Sequence, residues 1–173
     1  MNSFGKLWIV AGLLERRFDL GLISLPYSQE GLNIVPLFEE EMLILKPSKS
    51  PVRSRTPLSL KPADLRDAPF ILYPPTSNMR TNIDAFFREC GVVPRVIMEA
   101  DDTEAIKGLV ESGFGYGFLP QLALRSATRH FHLARVEGKK LFRTHALATP
   151  RADYDRALTK AVIDVLRGCL GEH

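Results

Sequence analysis

PFILYPPTSNMRTNIDAFFRECGVVPRVIMEADDTEAIKGLVESGFGYGFLP, residues 69–120, is the stretch whose reading decides the fold. Pro69–Tyr73 is a short apolar run and reads as a buried strand. Pro74 to Asn78 is a tight polar turn. Met79, Ile83, Phe86, Phe87 and Cys90 then recur at helical spacing, and Gly91 stops that helix. Val96–Glu99 is a second strand. Asp101 with Glu104 three residues later resembles a capping box ahead of Ile106, Leu109 and Val110, and Gly113 closes this helix. Gly115–Leu119 is a third strand, ending at Pro120. Strand, crossover helix, parallel strand is the βαβ unit, so the class is α/β with a parallel component in its sheet.

Outward from this stretch the alternation continues. Upstream, Leu7, Val10, Ala11 and Leu14 share one helical face, and Phe18–Leu25 is a nearly continuous apolar strand of the kind covered on both faces by parallel neighbours. Little sequence precedes that helix, so the chain reads as the later part of a larger α/β ligand-binding unit. Leu32–Phe38 and Glu41–Lys46 form a strand pair or one long bent strand, with Glu39–Glu41 as a solvated bend. Pro47–Pro62, rich in Ser, Pro and Arg, reads as a loop and the one linker-like segment. Pro62–Asp67 makes a short helix. Downstream, Phe131–Val136 and Leu141–Ala148 are strand-like. A last helix carries Leu158, Ala161, Val162, Val165, Leu166 and Cys169 on one stripe.

Composition bounds the function. The 173 residues are 45% hydrophobic and 25% charged, an ordinary globular balance. Residues 1–120 carry 13 basic and 15 acidic side chains, and residues 121–173 carry 10 and 5. The basic C-terminal third reads as arginines on solvated helix faces rather than a dense stripe that neutralises many phosphates. Cys90 and Cys169 sit on apolar stripes and read as small core residues in a reducing compartment. No spacing of His and Cys suggests a metal, and no cofactor is implied. The run Leu7–Leu14 is too short to span a bilayer and lacks a signal peptide's features, which points to a cytoplasmic protein. GFGYG at 113–117 follows a helix and precedes a strand, the reverse of a dinucleotide loop. No nucleophile elbow, phosphate loop or zinc-protease motif is present, so an enzyme is not expected. His130 and His132 read as surface histidines.

Residues 69–120 resemble the effector-binding domain of LysR-type transcriptional regulators. The matching features are Phe86 in the helix, Gly91–Pro94, Glu99 at a strand end, Val110, Gly113 and Gly115, and Phe118-Leu119-Pro120. Upstream, ERRFDLGLISLP is similar to the family's signature, with Asp19 in its acidic slot, and GLNIVPLFEEEMLILKPSKSP to its crossing strand. The resemblance covers residues 3–168. It implies a periplasmic-binding-protein-like fold with mixed sheets, two α/β lobes and two crossing strands. Lobe I, incomplete here, would comprise residues 1–57 and 149–173, and lobe II residues 58–148. The family's helix-turn-helix domain, which binds DNA, would be absent, as would the first strand, helix and second strand of lobe I.

The resemblance also implies a small effector in the interlobe cleft and a homo-oligomer formed through lobe–lobe contacts. Clefts of this kind form at the C-terminal ends of parallel strands, where helix N-termini favour anions. Thr76, Ser77, Asn78 and Met79 are the first candidates by that geometry. Thr76, Ser77 and Asn78 can each donate a hydrogen bond, and Ser77 or Asn78 can also simply cap the helix. Ser3, Ser24, Pro26 and Thr149 enter as positions where the family lines its cleft. Arg80 is either a carboxylate clamp or a solvent-facing arginine, and Asp102 with Thr103 is explained by capping alone. The expected function is effector sensing for a LysR-type regulator, with DNA reached only through the missing domain. The alternative is a stand-alone small-molecule-binding module. An enzyme of the same architecture would need a catalytic constellation that the sequence does not show.

Overall fold

A computed structural model describes residues 3–124, 129–153 and 157–170. The chain divides into two compact units, one formed by residues 1–40 and 143–173 and the other by residues 41–142. Both divisions fall inside strands, β2 (Leu32–Val52) and β8 (Leu141–Pro150), so each of these strands serves both units. The sequence reading set the lobe limits at 57/58 and 148/149 instead, in the linker-like stretch and beyond β8's centre.

In the first unit, α1 (Ser3–Leu14) packs on β1 (Gly21–Ser24). A Cβ at Gly21 would enter Ile9 of that helix, and a Cβ at Gly12 would enter the Phe18 ring, so both contacts require glycine. Val10, Leu13, Ile23, Leu32, Ala146 and Ala148 form the core. β1 pairs antiparallel with β8, Gly21 opposite Ala148 and Ser24 opposite His145. The reading of β1 as a strand covered on both faces by parallel neighbours therefore fails. Leu22 is 46% exposed, because only Gly21 and Ile23 alternate toward the core. α4 (Ala157–Leu170) also belongs to this unit. The side chain of Cys169 lies outside the described residues.

The second unit is a mixed sheet. β4 (Pro69–Leu72) pairs parallel with β5 (Arg95–Glu99). On its other side β4 meets Tyr116 at the entry to β6 (Gly117–Pro120), through Ile71 N–H to Tyr116 O at 2.8 Å and Tyr116 N–H to Pro69 O at 2.7 Å. β6 pairs antiparallel with β2, β2 antiparallel with β7 (Arg129–Val136), and β7 parallel with β3 (Leu58–Leu60). The order is β5-β4-β6-β2-β7-β3, in which β2 alone runs against the others. The expected loop at 47–62 is in part strand. β2 stays extended to Val52 despite Pro47 and Pro51, its register with β7 shifting between Pro47 and Val52. An irregularity of this kind is where a sheet tolerates residues that cannot donate to the ladder. The helix expected at 62–67 is a 3₁₀ turn, Pro62–Leu65.

Two helices cover opposite faces of this sheet. α2 (Asn78–Cys90) follows β4 and stops at Gly91, whose φ of 63° is the left-handed form that glycine adopts freely. Its Phe86 and Phe87 reach Phe118 of β6 at ring distances of 5.8 and 5.5 Å. α3 (Thr103–Glu111) follows β5. A Cβ at Gly117 would lie 2.8 Å from Ile106 and 3.1 Å from Val110 of α3. Neighbouring residues on one strand, 117 and 118, therefore face α3 and α2 respectively.

Two carboxylates expected in a solvated bend instead lie within β2, Glu40 buried and Glu41 half-buried. Glu40 is 5% exposed. Its Oε2 accepts from Arg143 Nε at 2.8 Å and Nη2 at 2.6 Å, and lies 3.0 Å from His145 Nε2. The His145 ring stacks on Phe38, centroids 4.5 Å apart. Glu41, one residue on, takes a two-pronged bond from Arg135 of β7, at 2.6 and 2.5 Å.

Candidate functional site

Right-handed crossovers determine where this sheet can hold a ligand. The chain leaves β4, crosses over α2 and enters β5 on one side. It leaves β5, crosses over α3 and enters β6 on the other side of β4. Crossovers of one hand moving in opposite directions put their helices on opposite faces. The connections leaving β4 and β5 thus diverge, which makes the C-terminal ends of these two strands a topological switch point, where open α/β sheets bind ligands.

The residues at that point are built from the turn outward. Pro74 O accepts from Ser77 N–H at 2.9 Å, closing the turn. Ser77, extended at φ −83° and ψ 137°, caps α2: its Oγ accepts from Met79 N–H at 3.2 Å. One accepted bond leaves the hydroxyl hydrogen of Ser77 to donate. Pro75 and Thr76 are exposed, Ser77 is buried and Asn78 half-buried. Met79 turns into the core. On the neighbouring strand end, Asp102 caps α3 by accepting from Ala105 N–H at 2.9 Å. Thr103 Oγ1 lies 3.3 Å from the Tyr73 hydroxyl, linking the two connections.

Arg80 is neither a free clamp nor a solvated side chain. Its Nε donates to Asp84 at 2.9 Å, and its Nη1 donates to Glu99 at 3.0 Å and to Tyr73 O at 2.9 Å. Burial lowers its pKa, but the bonds and charges of Asp84 and Glu99 outweigh that and raise it above the ordinary value. The guanidinium is spent on holding the ends of β4 and β5 to the first turn of α2. What the turn offers a ligand is therefore hydroxyl, amide and backbone N–H donors.

The structure brings Thr76, Ser77, Asn78 and Met79 together in the second unit. The other four candidates belong to the first unit. Ser3 is the first residue of α1. Ser24 ends β1, and Pro26 follows it after a cis Leu25–Pro26 bond. Thr149 lies near the end of β8 and is fully buried, and its Oγ1 has no hydrogen-bond partner among the described residues. An orphaned buried hydroxyl costs about 1–3 kcal/mol, a cost that a polar ligand atom could remove. The sequence reading missed Tyr73 as a site residue. Its position before two prolines, at the end of an apolar strand, gave no signal of the Thr103 and Arg80 contacts. Among the described residues no group of three or more His, Cys, Asp or Glu side chains could hold a metal. No described helix is long and apolar enough to cross a membrane.

Comparison with known proteins gives a consistent result. The family model of the LysR substrate binding domain matches residues 6–170. The transcriptional dual regulator GltC of Bacillus subtilis is 27% identical over 146 residues, which is 83% of this chain and 48% of that protein. The RuBisCO operon transcriptional regulator of Acidithiobacillus ferrooxidans is 32% identical over 109 residues, 62% of this chain and 35% of that protein. The chain thus spans less than half the length of these curated relatives. Among solved structures, the effector binding domain of QuiR in complex with shikimate superposes with a TM-score of 0.75 at 22% identity, covering 96% of this chain and 78% of that one. The regulatory domain of Synechocystis PCC6803 CcmR in complex with 2-PG gives 0.75 at 21% identity, covering 95% and 79%. These likenesses establish the mixed α/β, periplasmic-binding-protein-like fold.

Proposed function

Because the chain belongs to the LysR substrate-binding domain family, we propose that it is the effector-sensing domain of a LysR-type transcriptional regulator. In this reading it binds one small polar metabolite or anion and turns over nothing. The observation that carries the site is the divergence of α2 and α3 from adjacent parallel strands, with Thr76, Ser77 and Asn78 at the opening. The donors there suit a ligand rich in carboxylate or hydroxyl oxygens, and the solved neighbours hold shikimate and 2-PG. Thr149, with its unmatched hydroxyl, is proposed as a further contact. Ser3, Ser24, Pro26, Ser77 and Met79 complete the proposed set, Met79 by supporting the turn from below.

Effector binding shifts a conformational equilibrium only by its differential affinity for the two states. The change is read out, in this proposal, by a helix-turn-helix domain and by oligomer partners, in the cytoplasm. The test is calorimetric titration with a panel of small organic acids and polyols. Thr76→Ala combined with Asn78→Ala should weaken the bound compound by tenfold or more. Thermal stability should stay within about 1 kcal/mol, because Ser77, the residue that caps α2, is left in place. Unchanged affinity in that variant refutes the site.

A further inference from the structure

The second unit carries its charge unevenly, and the fold is what concentrates it. No Asp or Glu occurs between Met42 and Ala63, while Arg53, Arg55 and Lys61 do. Lys139 and Lys140 lie some eighty residues further on, in the turn after β7. In the sequence these are two unremarkable clusters. In the sheet, β7 stands between β2 and β3: Lys46 is opposite His132, Val52 opposite Arg129, and Leu58–Leu60 opposite residues 134–136.

A cleft of about 600 Å³ takes in the second cluster, with Lys139 and Lys140 beside Ser59 and Arg135 in its lining, and it shares Pro57 and Arg135 with a neighbouring cleft of about 260 Å³ that Arg55 lines. Arg135 is committed to Glu41. Among the described residues, none of Arg53, Arg55, Lys61, Lys139 and Lys140 has an ion-pair partner. Glu137 is the lone acidic side chain lining the larger cleft.

We propose that this cationic strip along β3 and β7 makes a sequence-independent contact with the phosphate backbone of double-stranded DNA. It is separate from the effector site and independent of the reading given to that site. An acidic protein segment is the competing occupant, and the surface fits it less well. β3 offers three residues between Pro57 and Pro62, too short and too proline-flanked an edge for an added strand. Leu58 is the exposed large apolar residue of the stretch 46–61, and no aromatic anchor accompanies it. Exposed cations on long stems, interspersed with Ser48, Ser50, Ser54 and Ser59, suit regularly spaced phosphates, which need charge and hydrogen-bond donors and no pocket.

The test is fluorescence anisotropy of the 173-residue chain with a labelled random-sequence duplex of about 30 base pairs across a salt series. Five phosphate contacts predict a log–log salt slope near −4.5, hence about a 500-fold loss of affinity from about 50 to about 200 mM salt. Arg53→Ala with Arg55→Ala should reduce the slope by about 2. Arg53→Lys with Arg55→Lys should keep it. Arg88→Ala, on α2, should leave binding as it is. No binding at low salt, or equal loss in the Arg88→Ala control, overturns the proposal. So does binding of a poly-glutamate peptide as tight as that of DNA, which would assign the surface to an acidic protein.

Discussion

Arg80 and Glu99 meet at 3.0 Å, joining the first turn of α2 to the C-terminal end of β5. The same guanidinium holds Asp84 one turn further along α2 and the carbonyl of Tyr73 at the end of β4. One side chain thus fixes three elements around the opening where the parallel strands end. Arg80→Met keeps the stem and removes the three bonds. It should lower stability by about 1–2 kcal/mol, since the acidic partners are partly solvated. Asp84→Asn should cost less than half of that. Urea melts of both variants check the order.

Glu40 offers a sharper contrast. Its carboxylate is enclosed with Arg143 and His145. Glu40→Ala leaves a buried guanidinium without its partner and should destabilise by about 3–5 kcal/mol. Replacing the whole group, Glu40→Met with Arg143→Met and His145→Leu, should recover most of the loss, because no charge then remains to be desolvated. Denaturant midpoints for the single and triple variants provide the measurement, and equal midpoints would contradict the argument.

The glycines rank by what an added methyl group would strike. At Gly115 it would sit 2.6 Å from the Pro69 carbonyl oxygen, backbone that cannot move without breaking the β4–Tyr116 link. At Gly117 it meets two side chains of α3, which can shift. At Gly108, on α3, it meets nothing within 4 Å. Gly115→Ala should therefore be the most damaging. Gly117→Ala should cost about 1–3 kcal/mol, and Gly108→Ala should stabilise by about 0.5–1 kcal/mol through helix propensity. Thermal melts of the three settle the ranking.

Burial raises the Cys90 thiol pKa; nearby Lys139 partly opposes the rise and Glu89 adds to it. The thiol should react with Ellman's reagent at pH 8 several-fold more slowly than in unfolded chain, where about a quarter is thiolate. A raised folded-state value means that the folded form holds its proton more tightly. This contribution to stability is complete below the unfolded pKa of about 8.5 and is lost as pH climbs through the folded value. Cys90→Ala should flatten the alkaline end of the stability profile.

Local signals in the sequence were sufficient for α2 and α3. Their apolar spacing, the cap Ser77 and the stop at Gly91 all act within one or two turns, and the structure places the helices within a residue of the reading; the capping box read at Asp101 and Glu104 falls one residue early, since Asp102 caps α3 by accepting from Ala105 N–H. Met79's place at the turn was legible for the same reason. The interior role of Glu40 and Glu41 was not. Three consecutive acids resemble a solvated bend, and nothing near them in sequence discloses that Arg143 and Arg135 wait on strands about a hundred residues away. The extension of β2 to Val52 was hidden likewise, since two prolines argue against a strand and only the shifted pairing with β7 accommodates them. Arg80 shows the same limit: its position was evident, but its three partners depend on how β4, β5 and α2 converge.

The second unit is one uninterrupted run of residues, whereas the first is assembled from segments at both ends of the chain. The pairings among β2, β3, β4, β5, β6 and β7 in the former close within its own span, so it can consolidate while synthesis is still under way. The β1–β8 pairing of the latter, innermost at Ser24 and His145, must close a loop of about 120 residues. That closure becomes far less costly once the intervening stretch has already collapsed into a compact body and brought β2 and β8 side by side. The nascent chain therefore has a built-in order of assembly, with the unit that carries the turn at 74–78 synthesised in full before the segment bearing Thr149.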